Sequence, residues 1–152
     1  MQVMNELFIN NLVSLRLFSL PLRRKGETNF MKLRIKGNSL RIRLTRTEVE
    51  KFVNTGYLEE QTSFLENKFT YALQSRNDIN EMSALFDQNK ISIFVPSKLL
   101  VDWPQNDVIG FNSNMPLTTT DSLYILIEKD FICLDETTED QSDNYENPNK
   151  TC

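Results

Sequence analysis

An α+β domain is expected for this chain, mostly antiparallel β-sheet or barrel with two short helices, and three features lead there. Met31–Thr45 alternates basic and aliphatic residues on both sides of Gly37-Asn38, the pattern of a hairpin with one wet and one dry face. Thr45/Glu48 and Pro96-Ser97 are helix-start signals, each followed by a short apolar stripe. Lys68–Gln74 and Ser122–Glu128 alternate with the two-residue period of half-buried strands.

The hairpin comes first. A two-residue turn at Gly37-Asn38 sets Lys36 opposite Ser39, Ile35 opposite Leu40, Arg34 opposite Arg41, Leu33 opposite Ile42 and Lys32 opposite Arg43. Leu33, Ile35, Leu40, Ile42 and Leu44 then share the core face, and Lys32, Arg34, Arg41 and Arg43 share the other. Like charges directly opposite one another destabilise a sheet. Negative groups are therefore expected beside them, from this chain or from a ligand.

Thr45 and Glu48 form a capping box, Val49, Phe52 and Val53 give the buried stripe, and Gly56 stops the helix. Tyr57–Phe64 and Lys68–Gln74 read as strands, Arg76-Asn77-Asp78 as a turn, and Glu81–Phe86 and Ile91–Val95 as strands. The second helix begins at Pro96-Ser97, buries Leu99, Leu100 and Trp103, and ends at Pro104. Asn106–Phe111 is a short strand, Asn112–Asp121 a loop, Ser122–Glu128 the clearest strand, and Phe131–Leu134 a last one. Ile42, Leu44, Thr45, Val49 and Phe52 align with Ile93, Val95, Pro96, Leu100 and Trp103 at a constant offset of 51. The repeat implies a pseudo-duplicated β-α-β-β-β unit closed into one sheet system or barrel.

Three segments follow from composition: an N-terminal extension over residues 1–30, a single globular domain over 31–135, and an acidic disordered tail over 136–152. Residues 1–30 carry their basic cluster, Arg23-Arg24-Lys25, after the apolar part, the reverse of a secretory signal. They read as an amphipathic surface helix, an extra packed helix or, the favoured reading, sequence upstream of a true start at Met31. Lys25-Gly26-Glu27 is encodable as AAA-GGA-GAA, which contains a ribosome-binding sequence at a workable distance from the Met31 codon. The tail has five acids against one base and little to bury.

Charge and residue types exclude several functions. The net charge of −4 argues against nucleic acid as a partner, and no stretch is long enough to span a membrane. With no histidine, Ser-His or Cys-His nucleophile pairs and His-ligated zinc are out. Two distant cysteines, Cys133 and Cys152, make neither a disulfide framework nor a zinc site, and a cytoplasmic setting fits them. Cys133, between Ile132 and Leu134, is expected to be buried and inert. Trp103, Phe52 and Tyr71 are expected in the core. No catalytic residue, cofactor or metal is called for. Glu128, Asp130 and the tail are carboxylates a hard cation could use, but without the spacing of a calcium loop.

The chain resembles a family of small uncharacterised bacterial proteins, a domain of unknown function. The likeness rests on Met31–Thr45, on Leu126–Leu134, and on Glu139-Asp140, Asp143 and Asn147-Pro148-Asn149; it covers the chain from Met31 onward and implies no activity. A second likeness is architectural: a doubled β-α-β-β-β unit is similar to the CYTH-like triphosphate tunnel fold, whose members bind triphosphate and metal inside a barrel. Their opening strand reads Glu-x-Glu-x-Lys, whereas this one reads Lys32-x-Arg34-x-Lys36, a departure that puts metal-dependent hydrolysis in doubt.

The candidate site is thus the basic face, Lys32, Arg34, Arg41 and Arg43, suited to a small anionic, phosphate-bearing ligand or an acidic protein surface. The competing explanation is an internal charge ladder with Glu59, Glu60, Glu128 or Asp130. A tail folded back as an internal anion is a further alternative. The expectation is a non-enzymatic binding or interaction module, against a phosphohydrolase of the tunnel type or a purely structural assembly protein.

Overall fold

In a computed structural model of the protein, residues 31–134 and 137–149 are described; the expectations for residues 1–30 and for 150–152 lie outside them. Eight strands form two four-stranded sheets. They are β1 (Lys32–Ile35), β2 (Ser39–Leu44), β3 (Tyr57–Ser63), β4 (Lys68–Arg76), β5 (Ser83–Asp87), β6 (Lys90–Pro96), β7 (Gly110–Pro116) and β8 (Ser122–Lys129), with one helix, α1 (Arg46–Thr55), between β2 and β3. The first sheet runs β1-β2-β8-β7 and the second β3-β4-β6-β5.

The β1–β2 hairpin has the expected register, from Lys32 opposite Arg43 to Ile35 opposite Leu40. Gly37 carries the positive φ, +53°, that its turn needs. Leu40, Ile42 and Leu44 are buried while Ser39, Arg41 and Arg43 are half-exposed. In α1 the Thr45–Glu48 capping box is fully formed, and Gly56 adopts the left-handed conformation that ends the helix.

Several expectations need correction. Among the described residues there is no barrel: each sheet is open, with two edge strands. Both sheets are mixed, because their central pairs, β2–β8 and β4–β6, are parallel, while the four outer pairings are antiparallel. The second helix is only a 3-10 turn, Ser97–Leu99, followed by further turns. β7 extends over residues placed in a loop: its partner β8 bonds it from Gly110 to Pro116, and Pro116 is tolerated because β7 is an edge strand. The expected strand at Phe131–Leu134 is reduced to a single bridge, Phe131 to Tyr145.

The chain divides into two halves of similar element order, cut differently from the expected β-α-β-β-β unit. Each half is ββαββ in outline: β1-β2-α1-β3-β4, then β5-β6, the 3-10 turn and β7-β8. The hairpin registers Lys32–Arg43 and Ser83–Phe94 differ by 51 at both positions. Each sheet takes one hairpin from each half, and the two parallel centres are where the halves meet. The repeated positions are core positions: Ile42, Leu44, Val49 and Phe52 are buried, as are Ile93, Val95, Leu100 and Trp103. They belong to one cluster that joins both sheets to α1. Tyr71 lies at its margin, its hydroxyl donating to the Met31 carbonyl at 2.5 Å.

Residues 137–149, expected to be a disordered tail, lie as a strap across the domain. The Asp143 carbonyl accepts from Arg46 N–H at 2.9 Å, and its carboxylate accepts from Thr47 N–H at 3.3 Å and Thr47 Oγ1 at 2.9 Å. These are first-turn donors that the helix itself cannot satisfy. Tyr145 sets its ring at a tilt to that of Phe131, centroids 6.1 Å apart, and receives Arg46 and Lys129 over its ring at 5.1 and 4.9 Å. Lys129 is buried and donates to the Asn106 carbonyl at 2.6 Å. Burial lowers its pKa, against a smaller opposing effect of Asp107. Composition missed the strap because a few residues, Asp143, Asn144 and Tyr145, anchor an otherwise polar segment.

Candidate functional site

The candidate site is the outer face of the first sheet. Side chains alternate along β1 and β2, so burying Leu40, Ile42 and Leu44 forces Arg41 and Arg43 outward, with Lys32 and Arg34 opposite them. The parallel register brings Tyr124, Leu126 and Glu128 of β8 beside Ser39, Arg41 and Arg43. Glu128 is the hub of the lower half. Its Oε1 accepts from Arg41 Nε at 2.7 Å and from Arg43 Nε at 2.8 Å, and its side chain is only 12% exposed. Burial alone pushes its carboxyl up, but the two arginines outweigh this and the net shift is downward.

Gly110, opposite Glu128 on β7, lets that pairing form. A Cβ there would lie 2.3 Å from the Ile127 carbonyl and 2.7 Å from Glu128 Cα.

Lys32 is also engaged. Its Nζ lies 2.9 Å from Asp130 Oδ2 and 2.8 Å from Glu139 Oε2. The Asp130 oxygen is buried and accepts no well-angled hydrogen bond, so the lysine charge is what compensates it. Burial lowers the Lys32 pKa, but Glu139 and Asp130 raise it more, and the net shift is upward. The strap thus does place one carboxylate on the basic face.

Of the expected charge partners, Glu128 lies against Arg41 and Arg43, and Asp130 against Lys32. Glu59 and Glu60 are on β3, in the other sheet. Glu59 is held by Lys90 at 2.6 Å and by the Tyr57 hydroxyl, and Glu60 stands opposite Tyr71. Lys32, Arg41 and Arg43 therefore have internal partners, as the ladder explanation requires. Arg34 does not: among the described residues neither it nor Lys36 has a carboxylate partner.

Those two cations line a cavity of about 220 Å³ together with Arg41, Ser39, Tyr124 and Leu126, with no carboxylate in its wall. Drug-sized pockets run from about 300 Å³ upward, so this one is small. Lys36 and Tyr124 were not among the expected site residues. Lys36 was recoverable, two residues beyond Arg34 on the same face. Tyr124 was not, because nothing in either strand announces the parallel β2–β8 pairing.

Cys133 is exposed, not buried, since its strand shrinks to a bridge. Among the described residues no group of three Cys, Asp or Glu side chains could hold a metal ion, and no helix is long and apolar enough to cross a membrane.

This open, two-sheet fold with a cationic outer face defines the class of the protein no further than its architecture. Comparison with known families adds that residues 31–149 match the model of a family of unknown function (DUF7009), and the chain belongs to that family. No curated protein and no solved structure matches it.

Proposed function

We propose that the protein is a non-enzymatic binding module whose cationic outer face takes an anionic, phosphate-bearing ligand or an acidic group of a partner. The observation that supports this most is the Arg34–Lys36–Arg41 cavity. Three cations converge there, two without a carboxylate partner among the described residues, while Lys32 and Arg43 on the same face are already paired with carboxylates. Arginine forks bind phosphate or carboxylate oxygens bidentately, and Tyr124 and Leu126 supply an apolar wall. A tunnel-type phosphohydrolase finds no support, because its chemistry needs an enclosing barrel and these sheets are open. The test is a thermal-shift screen with nucleotides, inorganic phosphate and tripolyphosphate at constant ionic strength, on the wild type and on Arg34→Gln/Arg41→Gln. Stabilisation by polyanions that the double variant loses supports the reading. An unchanged shift excludes the site.

A second reading, an assembly protein, is favoured by one observation. The edge strand β5 exposes Leu85 and Phe86, which are 57% and 66% accessible. Sedimentation of the wild type and Leu85→Glu/Phe86→Glu over a concentration range tests it; a monomer throughout rules out self-assembly through this edge.

A further inference from the structure

The geometry of β1 points to the kind of acidic partner the basic face fits: we infer that β1 accepts an added β-strand from an extended segment of another protein, with acidic residues alternating with apolar ones. The inference rests on the reading of the basic face as an anion site and specifies its ligand.

β1 ends its sheet. Lys36 N–H bonds to the Ser39 carbonyl at 3.1 Å, which fixes which residues face β2. In an antiparallel ladder these alternate, so Leu33 and Ile35 turn N–H and C=O away from β2. Among the described residues no backbone hydrogen bond meets them on that side. The repeat offers a control. Ala84 of β5 occupies the position of Leu33, and its outward N–H is met by Met115 Sδ at 3.2 Å. Ile35 is 55% exposed, an apolar side chain at an open edge.

Charge selects the occupant. Lys32, Arg34 and Lys36 recur every second residue on one face, Lys32 already held by Asp130 and Glu139 and the other two without a carboxylate partner among the described residues, with Leu33 and Ile35 between them on the other face. A strand laid along β1 sets one alternate set of its side chains beside the cations and the other beside Leu33 and Ile35. Acidic residues in the first set and apolar ones in the second satisfy both rows. The same cations repel β1 of a second copy, so the edge is closed to self-pairing and open to an acidic strand.

The probes are three capped hexapeptides: alternating Glu and Val, the same residues in two blocks, and the alternating peptide N-methylated on its hydrogen-bonding edge. Binding to the full chain is read by calorimetry, and amide exchange at Leu33 and Ile35 by NMR. The alternating peptide binds about tenfold or more tighter than the other two and slows exchange at Leu33 and Ile35. Arg34→Gln/Lys36→Gln weakens it about tenfold. Ile35→Pro, which removes an outward N–H and spares the β2 ladder, abolishes peptide binding while tripolyphosphate still binds. Equal binding of all three peptides, with tripolyphosphate also bound, overturns strand addition and leaves the anion site standing. Failure of the peptides and of tripolyphosphate together overturns both.

Discussion

Replacing Glu128 by glutamine separates the structural from the binding role of the basic face. Glu128 is the only carboxylate recorded on Arg41 and Arg43 among the described residues, at 2.7 and 2.8 Å. Hydrogen bonds to charged groups contribute about 1.5–3 kcal/mol each. Both arginines are roughly a third exposed, at 34% and 38%, and the new side chain keeps one acceptor oxygen. The net cost of Glu128→Gln is therefore about 1–2 kcal/mol. The same change frees two cations beside the cavity, so the face gains affinity for anions. Stabilisation by a bound ligand follows RT ln(1 + [L]/Kd), so about tenfold tighter binding adds about 1.4 kcal/mol at saturating ligand. Urea denaturation of wild type and variant, with and without tripolyphosphate at matched ionic strength, reads both effects. The variant is less stable without the anion and gains more from it than the wild type. An anion increment equal to or smaller than that of the wild type refutes the reasoning, because it means the arginines serve Glu128 alone.

Glu48 predicts a pH dependence. Burial raises its carboxyl from 4.5 to about 7, with Thr45 opposing and Glu60 and Asp143 adding to the rise. The folded protein then binds a proton that the unfolded chain releases, so stability falls as pH rises from 4.5 and has lost its full increment above about 7. That loss is roughly 3 kcal/mol. Glu48→Gln removes most of this slope in denaturation midpoints between pH 5 and 8; a variant as pH-dependent as the wild type contradicts it. Gly110→Ala costs about 1–3 kcal/mol in urea denaturation, because its Cβ meets backbone only 2.3 Å away; a neutral effect means β7 does not lie this close. Asp143→Ala costs about 1 kcal/mol by releasing the Thr47 donors at the start of α1, and it raises proteolytic cleavage within residues 137–149. Unchanged cleavage contradicts the strap.

Local features were the legible ones. Gly37-Asn38, flanked by strict alternation, fixes the hairpin, its register and its cationic face without reference to the rest of the chain. Thr45, Glu48 and Gly56 likewise mark both ends of α1. The five-position offset joined residues that are all buried, Ile42 with Ile93 and Phe52 with Trp103, although the element order of the two halves is not the expected β-α-β-β-β. What stayed hidden depends on long-range pairing. The parallel centres join strands such as β2 and β8, whose partners Ser39 and Tyr124 are far apart in sequence. That pairing decides that Glu128, not Glu59, meets the arginines. Residues Asn112–Asp121 looked like a loop because they are polar, and Asn112, Asn114 and Pro116 face outward on an edge strand where polarity costs little. Tyr145 alone could not announce the strap, since its partners Phe131, Arg46 and Lys129 come from separate elements.

The most direct test of the basic face as an anion site is a backbone amide NMR titration of the full chain with tripolyphosphate at fixed ionic strength. The perturbed amides are expected to centre on Arg34, Lys36, Ser39, Arg41, Tyr124 and Leu126, the lining of the cavity, with saturation at one equivalent site. Shifts spread evenly over the surface lysines, or none at these residues, would contradict it.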